Sequence, residues 1–457
     1  MIKCLPYALR ALRPVNPARP AGIAALSFQI LFGQFTFGQA AFAEDSWRDA
    51  LQARGITLGL TEQSEIWTNF AGGVRRGVTY NGLTTGTIDA DLEKLAGLTK
   101  TRFYASVFQI HGREPSLNMV GTLQPVSNIE ATRATRLYNA WVETLLLDDR
   151  LSLRIGQQGA NDEMMMGQQS AFLLNSSFGY PALAAANLPS GGPNYPLATP
   201  MVRAKYKLTD EFTLVGAVFN GDPAGPGVGD PQKRNRTGTS FRVTDPPLYF
   251  LELWWDQNQG EGAKGLPRTL KLGAWHHSGA FADQRFDTTG GLLALTGGPP
   301  RMHKGDTAIY GLIDQMLWLR PGTRDQGIGV FALLMGAPDD RNLVNLYAEW
   351  GVTFKAPFAS RPNDVTGLAF TMLRTSSSAR SYYQDGFAAA KGLMPIKPYE
   401  LSVEYSYSYK YADWLSIQPS LQYVINPGAG LPQATLANQQ RNLHNSWTFG
   451  IRSTLTF

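Results

Sequence analysis

The sequence predicts an all-β fold: a sixteen-stranded antiparallel transmembrane β-barrel with short periplasmic turns and long extracellular loops. Three observations predict it. Segments of about ten residues with period-two alternation of apolar and polar side chains recur along the chain, bounded by turn residues. Their connections alternate between short and long. Beyond Glu44 there is no uninterrupted apolar stretch of the ~18 residues a membrane-spanning helix needs.

Sixteen segments carry the alternation, near 55–70, 86–96, 101–111, 135–147, 151–158, 201–208, 211–220, 247–257, 268–278, 307–319, 326–336, 344–355, 363–374, 399–410, 413–424 and 447–457. The last ones are the clearest. In 447–457, Trp447, Phe449, Ile451, Leu455 and Phe457 alternate with Thr448, Gly450, Arg452, Thr454 and Thr456. In 399–410, Leu401, Val403, Tyr405 and Tyr407 alternate with Ser402, Glu404, Ser406 and Ser408. Tight connections such as Asp148-Asp149-Arg150, Thr209-Asp210 and Tyr411-Ala412 follow even-numbered segments. The gaps 112–134, 159–200, 221–246, 279–306, 375–398 and 425–446 follow odd-numbered ones. Hydrocarbon cannot satisfy an open sheet edge, so strands cross a bilayer only as a closed barrel. The apolar set then faces lipid. The polar set faces lumen water, where Ser402, Glu404, Gln418 and Arg452 need no buried partner. A secreted sandwich or propeller also alternates, but it does not require the short-long rhythm.

Composition excludes other classes. Of 457 residues, 17% are charged, against about 25% in an average soluble domain. Gly is frequent at 47, aromatics reach 11% and there is one Cys, against a disordered chain, a disulfide scaffold, a coiled coil or a helix-rich cytosolic enzyme. The formal charge of +5 is concentrated at the start of the chain. Setting aside Lys3, Arg10, Arg13 and Arg19 leaves 37 basic against 36 acidic residues, so no bulk electrostatic argument for nucleic acid remains. Residues 1–43 read as a secretory signal peptide: a basic stretch, the apolar run 21–32, and the small-residue site Ala41-Phe42-Ala43. The mature domain is then 44–457, free of cysteine because Cys4 lies in the leader.

A narrower reading comes from motifs. The stretch Gly55-Ile56-Thr57-Leu58, then Glu65, Asn69-Phe70-Ala71-Gly72-Gly73 and Tyr80-Asn81-Gly82 resembles the N-terminal region of the carbohydrate-selective porin family. Asp91 to Gly97, Arg154-Ile155-Gly156-Gln157 with Asn161, Phe172 to Asn175, and Lys271 to His277 continue the resemblance in order. It implies a monomeric sixteen-stranded barrel that lets sugars cross the bacterial outer membrane passively, with sugars and outer-membrane lipid as its partners. The alternatives are a general or anion-biased porin, argued from Arg154, Arg203, Lys205, Lys207 and Lys271, and a secreted sugar-binding all-β protein.

A sugar channel needs a constriction, hydrogen-bonding charges and aromatic faces rather than catalytic groups. The longest gap, 159–200, is the candidate constriction loop, with Asn161, Asp162 and Glu163 as its first polar group; the alternative is a cover over the outer mouth. Period two puts Glu65 on the lumen face of strand one, Asp89, Asp91 and Glu93 on that of strand two, and Arg154, Arg203, Lys205 and Lys271 on later strands. Trp67 and Trp254 are in phase with lumen residues and are sugar-stacking candidates, although the aromatic girdle at the membrane interface is the favoured reading for both. His276-His277 point to opposite faces and cannot share an ion, so no metal site, cofactor or catalytic set is expected.

Overall fold

In the computed structural model, residues 45–260, 262–389, 397–431 and 443–457 are described. The expected signal peptide lies outside them. Among the described residues sixteen strands form one closed sheet: β1 (Ile56–Gly73), β2 (Gly77–Asp91), β3 (Thr101–Gly112), β4 (Ala134–Leu146), β5 (Leu151–Gln158), β6 (Thr199–Lys207), β7 (Phe212–Asn220), β8 (Pro247–Gln257), β9 (Arg268–Asp287), β10 (Pro300–Leu319), β11 (Gly327–Gly336), β12 (Val344–Lys355), β13 (Val365–Thr375), β14 (Tyr399–Ala412), β15 (Leu415–Ile425) and β16 (His444–Thr456). Each pairs antiparallel with its sequence neighbours. β1 closes on β16 with Glu65 opposite Arg452 and Thr61 opposite Thr456.

The two faces divide as alternation requires. Leu58, Leu60, Ile66, Ile155, Leu272, Ile309, Leu334, Phe449 and Ile451 are exposed on the outside, the side that meets lipid in a membrane barrel. Aromatic residues gather at both rims of this band. Tyr423 stacks on Trp447 at 4.3 Å and Phe212 on Trp255 at 5.6 Å.

Three features depart from the expectation. The second strand starts at Gly77, not 86, and stops at Asp91. Its first half was hidden because Leu83 points inward, against Phe108 and Ile110, and so breaks the apolar-outward pattern. The segment after it is a short helix, α1 (Leu92–Ala96), rather than strand. Asp91 caps this helix by accepting the Glu93 and Lys94 amides, and Gly97 closes it at φ 69°, a left-handed geometry that glycine adopts without strain. β9 and β10 are also longer than expected, at 20 residues each. They continue past their neighbours as a hairpin through much of the gap assigned to loop.

The outside face implies a depth-dependent cost for charge. Leu272→Arg, in the middle of the lipid-facing band, is expected to destabilise the barrel by about 2–4 kcal/mol. Denaturant unfolding in lipid vesicles measures this, with an Arg at the exposed periplasmic residue Leu208 as a control that changes little.

Candidate permeation site

The wall of a barrel this size does not fill its own lumen with side chains. Here two connections do so. The loop 113–133 and the loop 159–198 fold inward, and each arrives with backbone N–H groups that need acceptors. The inner wall supplies them as carboxylates. Glu404 on β14 accepts the Leu174 and Asn175 amides, both at 2.8 Å. Asp314 on β10 accepts Gln168 N at 2.7 Å and Gln169 N at 3.2 Å. Glu252 on β8 accepts Met165 N at 2.7 Å and the Tyr310 hydroxyl at 2.6 Å. Glu400 on β14 accepts Leu123 N and Gln124 N, both at 3.0 Å, and the Thr122 hydroxyl at 2.6 Å. Charge-assisted bonds of this kind are stronger than neutral ones. The loops also pair with each other, through Asn128 N to Leu174 O at 2.7 Å and Ser176 N to Pro125 O at 2.9 Å.

One side of the lumen carries a row of charges set by strand register. Arg102, Glu143, Arg154 and Arg203 are successive cross-strand partners on β3 to β6. Glu143 pairs with Arg154 at 3.1 Å and Arg203 at 2.7 Å. Glu163 descends from the loop to meet Arg203 at 2.8 Å and Lys205 at 3.5 Å. The Arg154 guanidinium lies 3.9 Å from the centre of the Trp141 ring. Lys205 and Lys271 lie 4.2 and 4.1 Å from that of Trp254. The Lys271 ammonium donates to Met166 O at 2.8 Å. A cavity of about 740 Å³ opens on the other side of this loop segment, bounded by both inward loops and lined by Asn128, Asn161, Asp162, Tyr195 and, from the wall, Tyr138 and Arg452.

The residues singled out in the sequence fall into three groups. Arg154, Glu163, Arg203, Lys205, Lys271 and Trp254 come together, and Asp162 lies at the cavity beside them. Trp254 is therefore on the lumen side and not in the girdle. Glu65 and Trp67 also face inward, but both are buried, at 1% and 0% exposure. Glu65 accepts the Trp67 indole N–H and Asn81 Nδ2, each at 2.7 Å, and the Ser127 hydroxyl at 2.6 Å, and it pairs with Arg452. Trp67 packs under Met119, Val120 and Leu174, over Gly450, where a Cβ would come within 2.6 Å of its ring. It is neither a girdle residue nor open to a solute. Asp91 is spent on the helix cap at the periplasmic end of β2. Glu404, expected to stand in lumen water, is fully buried against the loop.

Sequence reasoning missed Glu143, Trp141 and Asp314, the loop-acceptor role of Glu252, whose lumen phase with Trp254 was legible, and the inward course of 113–133. Glu143 and Trp141 share a period-two face in a strand whose two faces both look apolar. Their phase is fixed only by a register shift in the pairing of β3 with β4.

A sequence model described as the carbohydrate-selective porin, OprB family, matches residues 75–457. Porin B of Pseudomonas aeruginosa is 24% identical over 401 residues, covering 83% of this chain and 85% of that protein. The putative porin QuiX of Acinetobacter baylyi is 22% identical over 471 residues, covering 94% and 98%. Among solved structures, that of Pseudomonas putida OprB at high pH superposes with a TM-score of 0.80 at 20% identity, covering 90% of this chain and 97% of that one. At that identity the likeness concerns the fold.

The loop tethers are testable one at a time. Glu404→Ala leaves two buried amides without acceptors, at a cost of about 1–3 kcal/mol each. Limited proteolysis of the folded barrel is expected to cut within 159–198 faster in Glu404→Ala than in the parent chain. Glu404→Gln, which keeps an oxygen acceptor, is expected to fall between them.

Proposed function

Because the chain belongs to the carbohydrate-selective porin (OprB) family, we propose that it conducts mono- and oligosaccharides passively and selectively across the bacterial outer membrane, with the segment 161–166 and the facing charges of β4, β5, β6 and β9 as the constriction. Residues 1–43 act as the cleaved export signal in this reading, and 159–198 is the constriction loop. The carrying observation is the cluster in which Glu163 of the inward loop pairs with Arg154, Arg203 and Lys205 of the wall, in a chain matched by the family over 75–457.

Opposed charges suit a solute of many hydroxyls. A sugar passing beside this cluster gives up water, takes hydrogen bonds from guanidinium and ammonium groups and donates them to carboxylates, each directional and each replaceable by water once it leaves. Binding stays modest, which a channel requires for release. Trp254 and Trp141 supply apolar faces for the C–H side of a pyranose ring. An apolar solute gains none of this and displaces water from the charged groups without replacing its hydrogen bonds. The Arg side chains are held by two or more partners each, so the geometry is fixed before the solute arrives.

A second reading on the same barrel, an anion bias, is favoured by one observation: among the described residues Lys271 has no carboxylate within ion-pair distance, and its ammonium bonds only to a carbonyl. Swelling of proteoliposomes with purified protein separates the two. Glucose and a disaccharide are expected to enter well ahead of an amino acid of similar size to glucose. Equal rates for all three would reduce the function to a general porin, and a strongly anion-shifted reversal potential with equal rates would favour the second reading.

A further inference from the structure

A third connection holds the two inward loops. The loop 221–246, between β7 and β8, is bonded to each of them and to the wall. Its short helix Pro231–Arg234 starts at Asp230, whose carboxylate caps it by accepting Gln232 N at 2.9 Å. The same carboxylate accepts the Thr132 hydroxyl at 2.9 Å, and the Gln232 side-chain oxygen accepts Thr132 N at 2.7 Å, which fixes the end of the loop 113–133. Nearer its start, Asp222 accepts the Ser190 hydroxyl at 2.6 Å, and Arg234 donates to the Ser190 oxygen at 3.0 Å, which fixes the loop 159–198.

The wall offers this loop a place. β5 ends at Gln158, and its last pair with β4 is Gln157 with Ala140, so the extracellular part of β4 has a free edge. The loop takes that edge: Leu137 N donates to Thr237 O at 2.9 Å and Gln157 Nε2 to Gly238 O at 2.8 Å. Gly238, at φ 68°, lies so close to the strand that a Cβ there would come within 2.0 Å of Leu137 O. Next to Leu137 on β4 is Arg136, 1% exposed. Its two terminal nitrogens divide between two loops. One donates to Pro196 O at 3.1 Å and the other to Gln232 O at 3.2 Å. Among the described residues it pairs with no carboxylate. Burying a guanidinium on carbonyls alone is costly. The planar fork supplies two directional bonds from one rigid group to two separate segments, which a single ammonium nitrogen does less well.

We propose that, in the sugar channel proposed above, the loop 221–246 and Arg136 form a clamp that sets the spacing of the two inward loops, with Arg136 as its positioning residue. The cavity of about 740 Å³ between those loops is bordered by the clamp: Ser190, Pro196, Pro231 and Gln232 line it. Elsewhere the inward loops meet directly, at Asn128 N to Leu174 O, Ser176 N to Pro125 O and the Tyr195 hydroxyl to Ile129 O. Thr132 and Ser190 do not meet; among the described residues they are joined through Asp230, Gln232, Arg234 and Asp222. The clamp is itself braced, since Asp245 at its far end accepts Arg242 at 2.7 Å and Asn220 Nδ2 at 3.0 Å. Arg136 acts on permeation through the loops it holds. A looser clamp lets the loops separate, which passes more ions and admits larger sugars.

The test compares Arg136→Ala, Arg136→Lys, Gln232→Ala and Ser190→Ala with the parent chain. Two quantities are read on barrels that keep the folded gel mobility: single-channel conductance, and the ratio of disaccharide to glucose entry into proteoliposomes. Neither depends on how much of the protein folds. Arg136→Ala is expected to raise the conductance and to raise the ratio several-fold. Arg136→Lys keeps the charge without the fork and is expected to recover part of the parent ratio. Ser190→Ala and Gln232→Ala disturb no buried charge and are expected to shift both readouts in the same direction by less; they decide the matter if Arg136→Ala does not fold. Parent conductance and parent ratio in folded Arg136→Ala, or in both milder variants if it does not fold, would overturn the proposal. A parent chain that admits glucose no faster than an amino acid of similar size would sink the sugar reading instead. Conductance still reads the clamp in that case, so the two failures remain distinguishable.

Discussion

The carboxylates of the inner wall are the groups on which the rest of the interior depends. A sixteen-stranded barrel encloses more space than its own side chains fill, and the loops that enter that space bring amides that must be bonded. Glu400 and Glu404 on β14, Asp314 on β10 and Glu252 on β8 take those amides, and Glu65 holds the loop 113–133 through Ser127. Without these acceptors, the two loops lose less by returning to water than by staying inside. With them, the loops become part of the wall, and the chain can place Glu163 opposite the Arg and Lys side chains to within a hydrogen bond. In the proposed reading, selectivity follows from how buried backbone is satisfied, one step removed from the groups a solute meets.

Much of this was readable in the sequence because membranes constrain strands severely. The alternation in 447–457 and 399–410, and the rhythm of short and long connections, follow from one requirement: no open edge and no unpaired backbone in hydrocarbon. The lumen phase of Arg154, Arg203, Lys205 and Lys271 followed from period two alone. What escaped was whatever depends on contacts between distant segments. Period two places Glu65 and Glu404 on the inner face but does not say whether water or a loop stands before them, and a loop does. Trp67 and Trp254 have the same local pattern; one is covered by Met119 and Leu174 and the other stands beside two lysines. Asp91 continued a strand pattern that a helix cap overrode. The second strand was shortened because Leu83 obeys the interior cluster it joins, not the lipid.

Polar side chains occur on both faces of the wall, and their neighbours decide what each does. Inside, acid and base are paired across loop and strand, so that donors and acceptors stand already oriented. Outside, polar side chains such as Glu62 with His111 and His276 with Thr307 find partners on the wall itself. The same physical rule, that a polar group removed from water must find a partner, links the loop tethers and the proposed constriction.

In the proposed reading the inward loop 159–198, held by wall carboxylates, sets the channel. Single-channel conductance of a chain in which 164–196 is replaced by a short Gly-Ser linker tests it most directly, provided the folded gel mobility of the barrel is retained. A conductance several-fold above that of the parent chain is expected, with loss of the preference for sugars over an amino acid of equal size. An unchanged conductance and an unchanged preference would contradict it, and would place the constriction elsewhere along the lumen.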